Sequence, residues 1–162
     1  MKHLLQEALI AAIATEKKSF HFYRSISAKV HDGTVRNLFE RLADEVAQHL
    51  ELFLRLSPSS EFSDLQSQLI KPPHFPNPLY RVCLVDMTGI TSEKEALRLA
   101  LQKEESCREH YSILVESFRA PAVRAVFQMV VDETLRHCEI LREECRHNTR
   151  LAGWADQNFY IV

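Results

Sequence analysis

The sequence predicts an all-α protein, a four-helix bundle in which two short links flank one long connection. Three observations carry this. Four segments hold apolar stripes at helical period, glycine occurs only 3 times in 162 residues, and five of the 6 prolines crowd into one internal stretch. Such sparse glycine and proline excludes a turn-rich β sandwich and a disordered chain. With 46% apolar residues, the chain can bury one real core.

The first helix is expected from about Leu4 to Ser27, with Leu5, Leu9, Ala12, Glu16, Phe20 and Tyr23 on one stripe. Asp32-Gly33-Thr34 breaks it from a second helix, about Thr34 to Leu56, whose stripe includes Leu38, Phe39, Leu42, Val46, His49 and Phe53. A third runs from about Ser92 to Phe118 through Leu97, Leu101, Glu104 and Tyr111. Arg119-Ala120-Pro121 separates it from a fourth. That helix starts at Pro121, a residue favoured at a first helical position, and continues to about Asn148 through Phe127, Val130, Thr134 and His137. Residues 57–91, proline-rich at Lys71-Pro72-Pro73-His74-Phe75-Pro76-Asn77-Pro78, form the crossover between helices two and three. One bundle thus spans 1–150. Residues 151–162 form an apolar tail (Trp154, Phe159, Tyr160, Ile161, Val162), expected to dock on the bundle or on another subunit because exposed aromatics are unfavourable in water.

Lys plus Arg number 20 against 22 Asp plus Glu, a formal charge of -2, so no basic excess points to nucleic acid or an anionic membrane as partner. No apolar run approaches the roughly 18 residues of a membrane span. The opening Met1-Lys2-His3-Leu4-Leu5-Gln6-Glu7 gains a carboxylate too early for a secretion signal, and the expected location is the cytoplasm. Cys83, Cys107, Cys138 and Cys145 include no close pair, which excludes a zinc ribbon or a rubredoxin-type iron site. Three of them lie in helical patterns, where a cysteine is expected as a small buried hydrophobe; the competing reading is a reactive thiol at Cys107 or Cys138.

The chain repeats itself as two quasi-equivalent helical hairpins. A shift of 88 positions brings Glu16 and Tyr23 onto Glu104 and Tyr111, Val35 and Phe39 onto Val123 and Phe127, and Asp44, Glu45 and His49 onto Asp132, Glu133 and His137, with no gap. Glu16, His49, Glu104 and His137 all lie on stripes that should face the core. Carboxylates and imidazoles are costly there unless something pairs with them. Two Glu and two His converging inside four helices is a donor set for iron, manganese or zinc.

These residues resemble the rubrerythrin branch of the ferritin-like superfamily, without its rubredoxin domain. The likeness runs through Ala12-Ile13-Ala14-Thr15-Glu16 with Phe22-Tyr23, Leu42-Ala43-Asp44-Glu45 to His49, Lys103-Glu104 with His110-Tyr111, and Val130-Val131-Asp132-Glu133 to His137. It implies a ferritin-like bundle, metal ligands at Glu16, His49, Glu104 and His137, iron as cofactor (zinc or manganese as alternatives), a homodimer, and a separate electron-donor protein for any redox activity. The family places a bridging Glu three residues before each His; here Val46 and Thr134 occupy those positions. Glu45 and Glu133 stand four before each His, about 40° to one side, whereas Val46 lies about 60° to the other, nearer the core direction. Glu45 and Glu133 are therefore expected to flank the site as outer or surface groups.

Three functions follow: a di-iron oxidoreductase, peroxidase-like, acting on peroxide or oxygen with a partly degenerate site; a bundle that binds a single metal without turnover; and a metal-free bundle with a binding or structural role. In the last, paired Glu and His hydrogen bonds keep the polarity of an ancestral site. Tyr23 and Tyr111 are expected to pack in the core, with a hydroxyl role beside the ligands as the competing reading.

Overall fold

A computed structural model describes residues 2–57, 65–71, 90 and 92–157, with 65–66 and 149–157 described by backbone only. Among the described residues there are helices and no strand. Helix α1 spans Lys2–Ser27 and α2 spans Gly33–Leu56. Asp32 caps α2, its Oδ1 accepting the amides of Thr34 (2.8 Å) and Val35 (3.0 Å). Such a cap contributes about 1 kcal/mol and fixes where the helix begins. Helix α4 spans Glu93–Ser117 and is capped by Ser92, whose Oγ accepts from the Glu95 amide at 3.2 Å. Glu93 Oε1 accepts from the amides of His31 (2.9 Å) and Asp32 (3.1 Å), tying the first hairpin's link to the start of α4.

Helix α5 starts at Pro121 as expected but runs to Gln157, past the end anticipated near Asn148. The lone Gly153 costs about 1 kcal/mol relative to Ala, too little to stop a long helix with no proline after it. The crossover stretch 57–91 carries a six-residue helix, α3, at Leu65–Ile70, which touches α1 and α2. The prolines of that stretch after Ser57, Cys83 and the tail residues 158–162 lie outside the described residues.

Helix α1 packs along α2, α4 along α5, and α1 also meets α5. Two apolar clusters fill the bundle. One contains Leu9, Ile13, Leu50, Phe53, Tyr111, Phe127 and Val130; the other contains Tyr23, Phe39, Leu42, Val46, Leu97, Ala100 and Leu141. Along each long helix the candidate ligand falls between members of the two clusters: Glu16 between Ile13 and Tyr23, His49 between Val46 and Leu50, His137 between Val130 and Leu141. The core is thus apolar at both ends with a polar band across its waist. Cys107 and Cys138 are buried free thiols, as expected, and burial pushes Cys138 up to about 11. Among the described residues no helix is long and apolar enough to cross a membrane.

Candidate metal centre

The four residues expected from sequence all reach the polar band. Glu16 (3% exposed), Glu104 (1%) and His137 (1%) are buried, and His49 is half-buried. They do not form a single four-donor point. Glu16, His49 and Glu133 each offer one donor atom, and these three atoms lie within 4.8 Å of one another. His137 stands beside them, its Nε2 3.6 Å from Glu133 Oε1. Its Nδ1 faces Glu104 Oε1 at 3.7 Å. Glu104 is held elsewhere: Lys103 Nζ donates to its Oε1 at 2.7 Å and Tyr23 Oη donates to the same oxygen at 2.5 Å.

Glu133 is the residue that sequence reasoning misplaced. Its position on the helix is at the flank, as the wheel predicts, and Val46 (1% exposed) and Thr134 (5%) do occupy the direct inward direction. Neither can replace a carboxylate, since Val46 is apolar and Thr134 turns its Oγ1 back onto the Val131 carbonyl at 3.0 Å. Glu133 has enough length to swing in from the flank, and it ends 6% exposed in contact with His49 Nδ1. The signal that could have found it was its helix partner: a carboxylate four residues before a buried His shares much of its face. The expectation holds better for Glu45, which is only partly buried and pairs with Arg136 Nη1 at 2.8 Å, although its Oε2 also reaches His137 Nε2 at 3.4 Å. Each flanking Glu thus meets the His of the other hairpin.

The charges in the band are unequally matched. Burial, reinforced by the neighbouring Glu133, pushes the Glu16 carboxyl well above its ordinary range, with Lys103 opposing. Burial would also raise Glu104, but the Lys103 ammonium and His137 outweigh it and bring that carboxyl down to about 2. The contact with Glu133 pushes His49 up, against the effect of burial. Tyr23 is raised by burial and by Glu104, which keeps it a phenol donor; its ring packs in the core as expected from sequence, and its hydroxyl also takes the competing role beside Glu104.

Whether a cation suits this place can be tested on the atoms themselves. Glu133 Oε2 and Glu104 Oε2 are buried without a hydrogen-bond partner, and His137 Nε2, buried too, meets only carboxylate oxygens at 3.4 and 3.6 Å. Buried acceptors left unsatisfied cost about 1–3 kcal/mol each, so such a concentration calls for an outside partner. Carboxylate oxygen and imidazole nitrogen sit about 2.0–2.2 Å from zinc, so two donors on one such ion are at most about 4.4 Å apart. Glu16, His49 and Glu133 need only small side-chain rotations to reach that spacing. The donor set fits a transition metal ion.

The rubrerythrin family model matches residues 7–145. The chain belongs to the rubrerythrin family. No curated protein matches it. A hypothetical protein from Pyrococcus furiosus is 25% identical and superposes with a TM-score of 0.57 over 88% of each chain. A conserved hypothetical protein from Mycobacterium tuberculosis, 17% identical, has a TM-score of 0.56 over 84% of this chain and 92% of its own, a likeness of fold. In this chain Val46 and Thr134 stand three residues before the two His, and Glu133 comes in from the helix flank.

Proposed function

We propose that this rubrerythrin-family protein binds a divalent transition metal at Glu16, His49 and Glu133, with His137 the nearest further donor. The observation that carries this reading is the convergence of three donor atoms within 4.8 Å inside a bundle core, with Glu133 Oε2 buried and without a hydrogen-bond partner. Iron is the ion the family resemblance implies, with manganese and zinc as alternatives of the same donor chemistry. A redox-active ion there would supply electrons to peroxide or oxygen. The residues around it hold and orient: Glu16 and Glu133 bring negative charge into a water-poor band, and the apolar clusters on either side limit solvent.

Elemental analysis of protein purified without chelators tests this. The expected result is bound metal in the wild type, loss in Glu16→Gln and in Glu133→Gln, and retention in Glu45→Gln. Wild-type protein that takes up no iron, manganese or zinc overturns the reading, as does a Glu16→Gln and Glu133→Gln double variant with undiminished metal. Stopped-flow absorbance of the reduced, iron-loaded protein mixed with peroxide then separates turnover from simple binding.

A further inference from the structure

We infer that the centre holds one metal ion and not a pair, because the protein's own cations Lys103 and Arg136 take the second position. This rests on the metal reading above and specifies its stoichiometry. The internal repeat maps Glu16, His49 and Glu133 onto Glu104, His137 and Glu45, so a second metal would need that second trio. In it each carboxylate already has a cation: Lys103 Nζ is 2.7 Å from Glu104 Oε1, and Arg136 Nη1 is 2.8 Å from Glu45 Oε2.

Lys103 is 6% exposed and also donates to Ser19 Oγ at 2.5 Å, so its ammonium is built into the core rather than resting on the surface. The repeat partners of these two cations are the neutral Thr15 and Gln48. Among the described residues neither Glu16 nor Glu133 has a lysine or arginine in ion-pair contact, Glu133 meeting only imidazoles, so no fixed cation of the protein occupies the first trio. Two carboxylates, Glu16 and Glu133, balance one divalent cation.

Geometry separates the trios as well. His137 stands between its two carboxylates, Nδ1 toward Glu104 (3.7 Å) and Nε2 toward Glu45 (3.4 Å), so one nitrogen cannot join both at a common ion. Among the described residues, Glu16, His49 and Glu133 make the one group of three donors that meet.

Cobalt(II) titration under anaerobic conditions, read by visible absorption and by bound cobalt per chain, tests the count. The wild type is expected to take one ion, lost in Glu16→Gln. Replacing both cations by their repeat partners, Lys103→Thr with Arg136→Gln, is expected to raise the count to two. Two ions in the wild type overturn this inference and leave the metal reading intact; none in the wild type overturns both. A folded double variant, helical by circular dichroism, that still takes one ion also overturns it. If the double variant does not fold, the wild-type count decides: one ion supports the inference and two reject it.

Discussion

The two halves of this chain place the same groups at the same spacing and satisfy them differently. In the second half, Glu104 is met by Lys103 and by the Tyr23 hydroxyl. In the first half, burial and the like charges of Glu133 and Glu104 push the Glu16 carboxyl up, with the Lys103 ammonium opposing them. Tyr111, the repeat partner of Tyr23, turns to the Thr15 hydroxyl and to the Ala11 carbonyl at 3.2 Å. The residue just before each Glu accounts for much of the contrast, being Thr15 in one half and Lys103 in the other. A single buried ammonium donates directly to one carboxylate and only opposes the raising of the other from a distance. A repeat can thus keep the shape of a site in both halves and its chemistry in one.

The largest expected effect comes from removing that ammonium. Lys103→Met leaves Glu104 as a buried charge with only Tyr23 and His137 beside it. Breaking a buried ion pair from one side costs about 3–5 kcal/mol. For a chain of this size that corresponds to a Tm lower by roughly 6–20 °C. The matching change in the first half, Thr15→Ala, removes a neutral hydroxyl and is expected to cost about 1 kcal/mol. Thermal unfolding of the metal-free proteins checks both, and equal losses would erase the distinction between the halves.

Acid titration of metal-free stability should split the two carboxylates by sign. Glu104 titrates near 2 when folded against an ordinary 4.5, so its contribution is present above pH 4.5 and is lost as pH falls toward 2. The gap corresponds to about 3 kcal/mol. Glu16 is shifted the other way, so its ionised form penalises the folded state and protonation on acidification relieves it. Urea midpoints between pH 2 and 7 should therefore fall less steeply at low pH in Glu104→Gln than in the wild type. Glu16→Gln should be more stable than the wild type near neutrality while binding no metal. A Glu16→Gln protein that is less stable in its metal-free form would show that Glu16 already has its partner.

Metal removal should act through the first half alone. An ion present at a hundredfold excess over its Kd adds about 2.7 kcal/mol of stability. That is a Tm difference of roughly 5–11 °C between loaded and chelated wild type. Glu16→Gln should show no difference, whereas Tyr23→Phe, acting on the other carboxylate, should keep most of it. Equal metal-dependent shifts in Glu16→Gln and the wild type would move the ion away from this centre.

Most of the fold was readable because it rests on periodicity: the stripes through Leu9, Phe39, Leu97 and Phe127 became the two apolar clusters, and Asp32 and Pro121 marked helix starts. The end of α5 was not, since Gly153 is only a weak stop signal. Glu16, His49, Glu104 and His137 were readable as polar residues on apolar faces. The pairing among them was not. Helical angle orders Cα positions, and the reach of a glutamate spans the 40° that separates flank from interior, as Glu133 does. The adjacent charge of Lys103 gave no periodic signal either, because a lysine beside a glutamate reads as a solvated pair until the packing closes over it.

The smallest effect distinguishes the two tyrosines. Tyr23 Oη donates to an ionised carboxylate, a bond worth about 1.5–3 kcal/mol, while Tyr111 bonds neutral oxygens at about 0.5–1.5 kcal/mol. Both rings are fully buried and stack or tilt against a phenylalanine, Tyr23 on Phe39 and Tyr111 on Phe127, so phenylalanine in either place preserves the packing. Tyr23→Phe is therefore expected to destabilise the metal-free protein by about 1 kcal/mol more than Tyr111→Phe, the difference between the two ranges. Loss of the Tyr23 hydroxyl also removes a donor to Glu104, so the gap between the variants should narrow as pH is lowered toward 2 and that carboxylate is protonated. Urea unfolding of the two variants at pH 7 and at pH 2 reads both quantities. A gap that is absent at neutral pH would mean that Lys103 alone satisfies Glu104, and the asymmetry between the halves would then reside in one side chain rather than two.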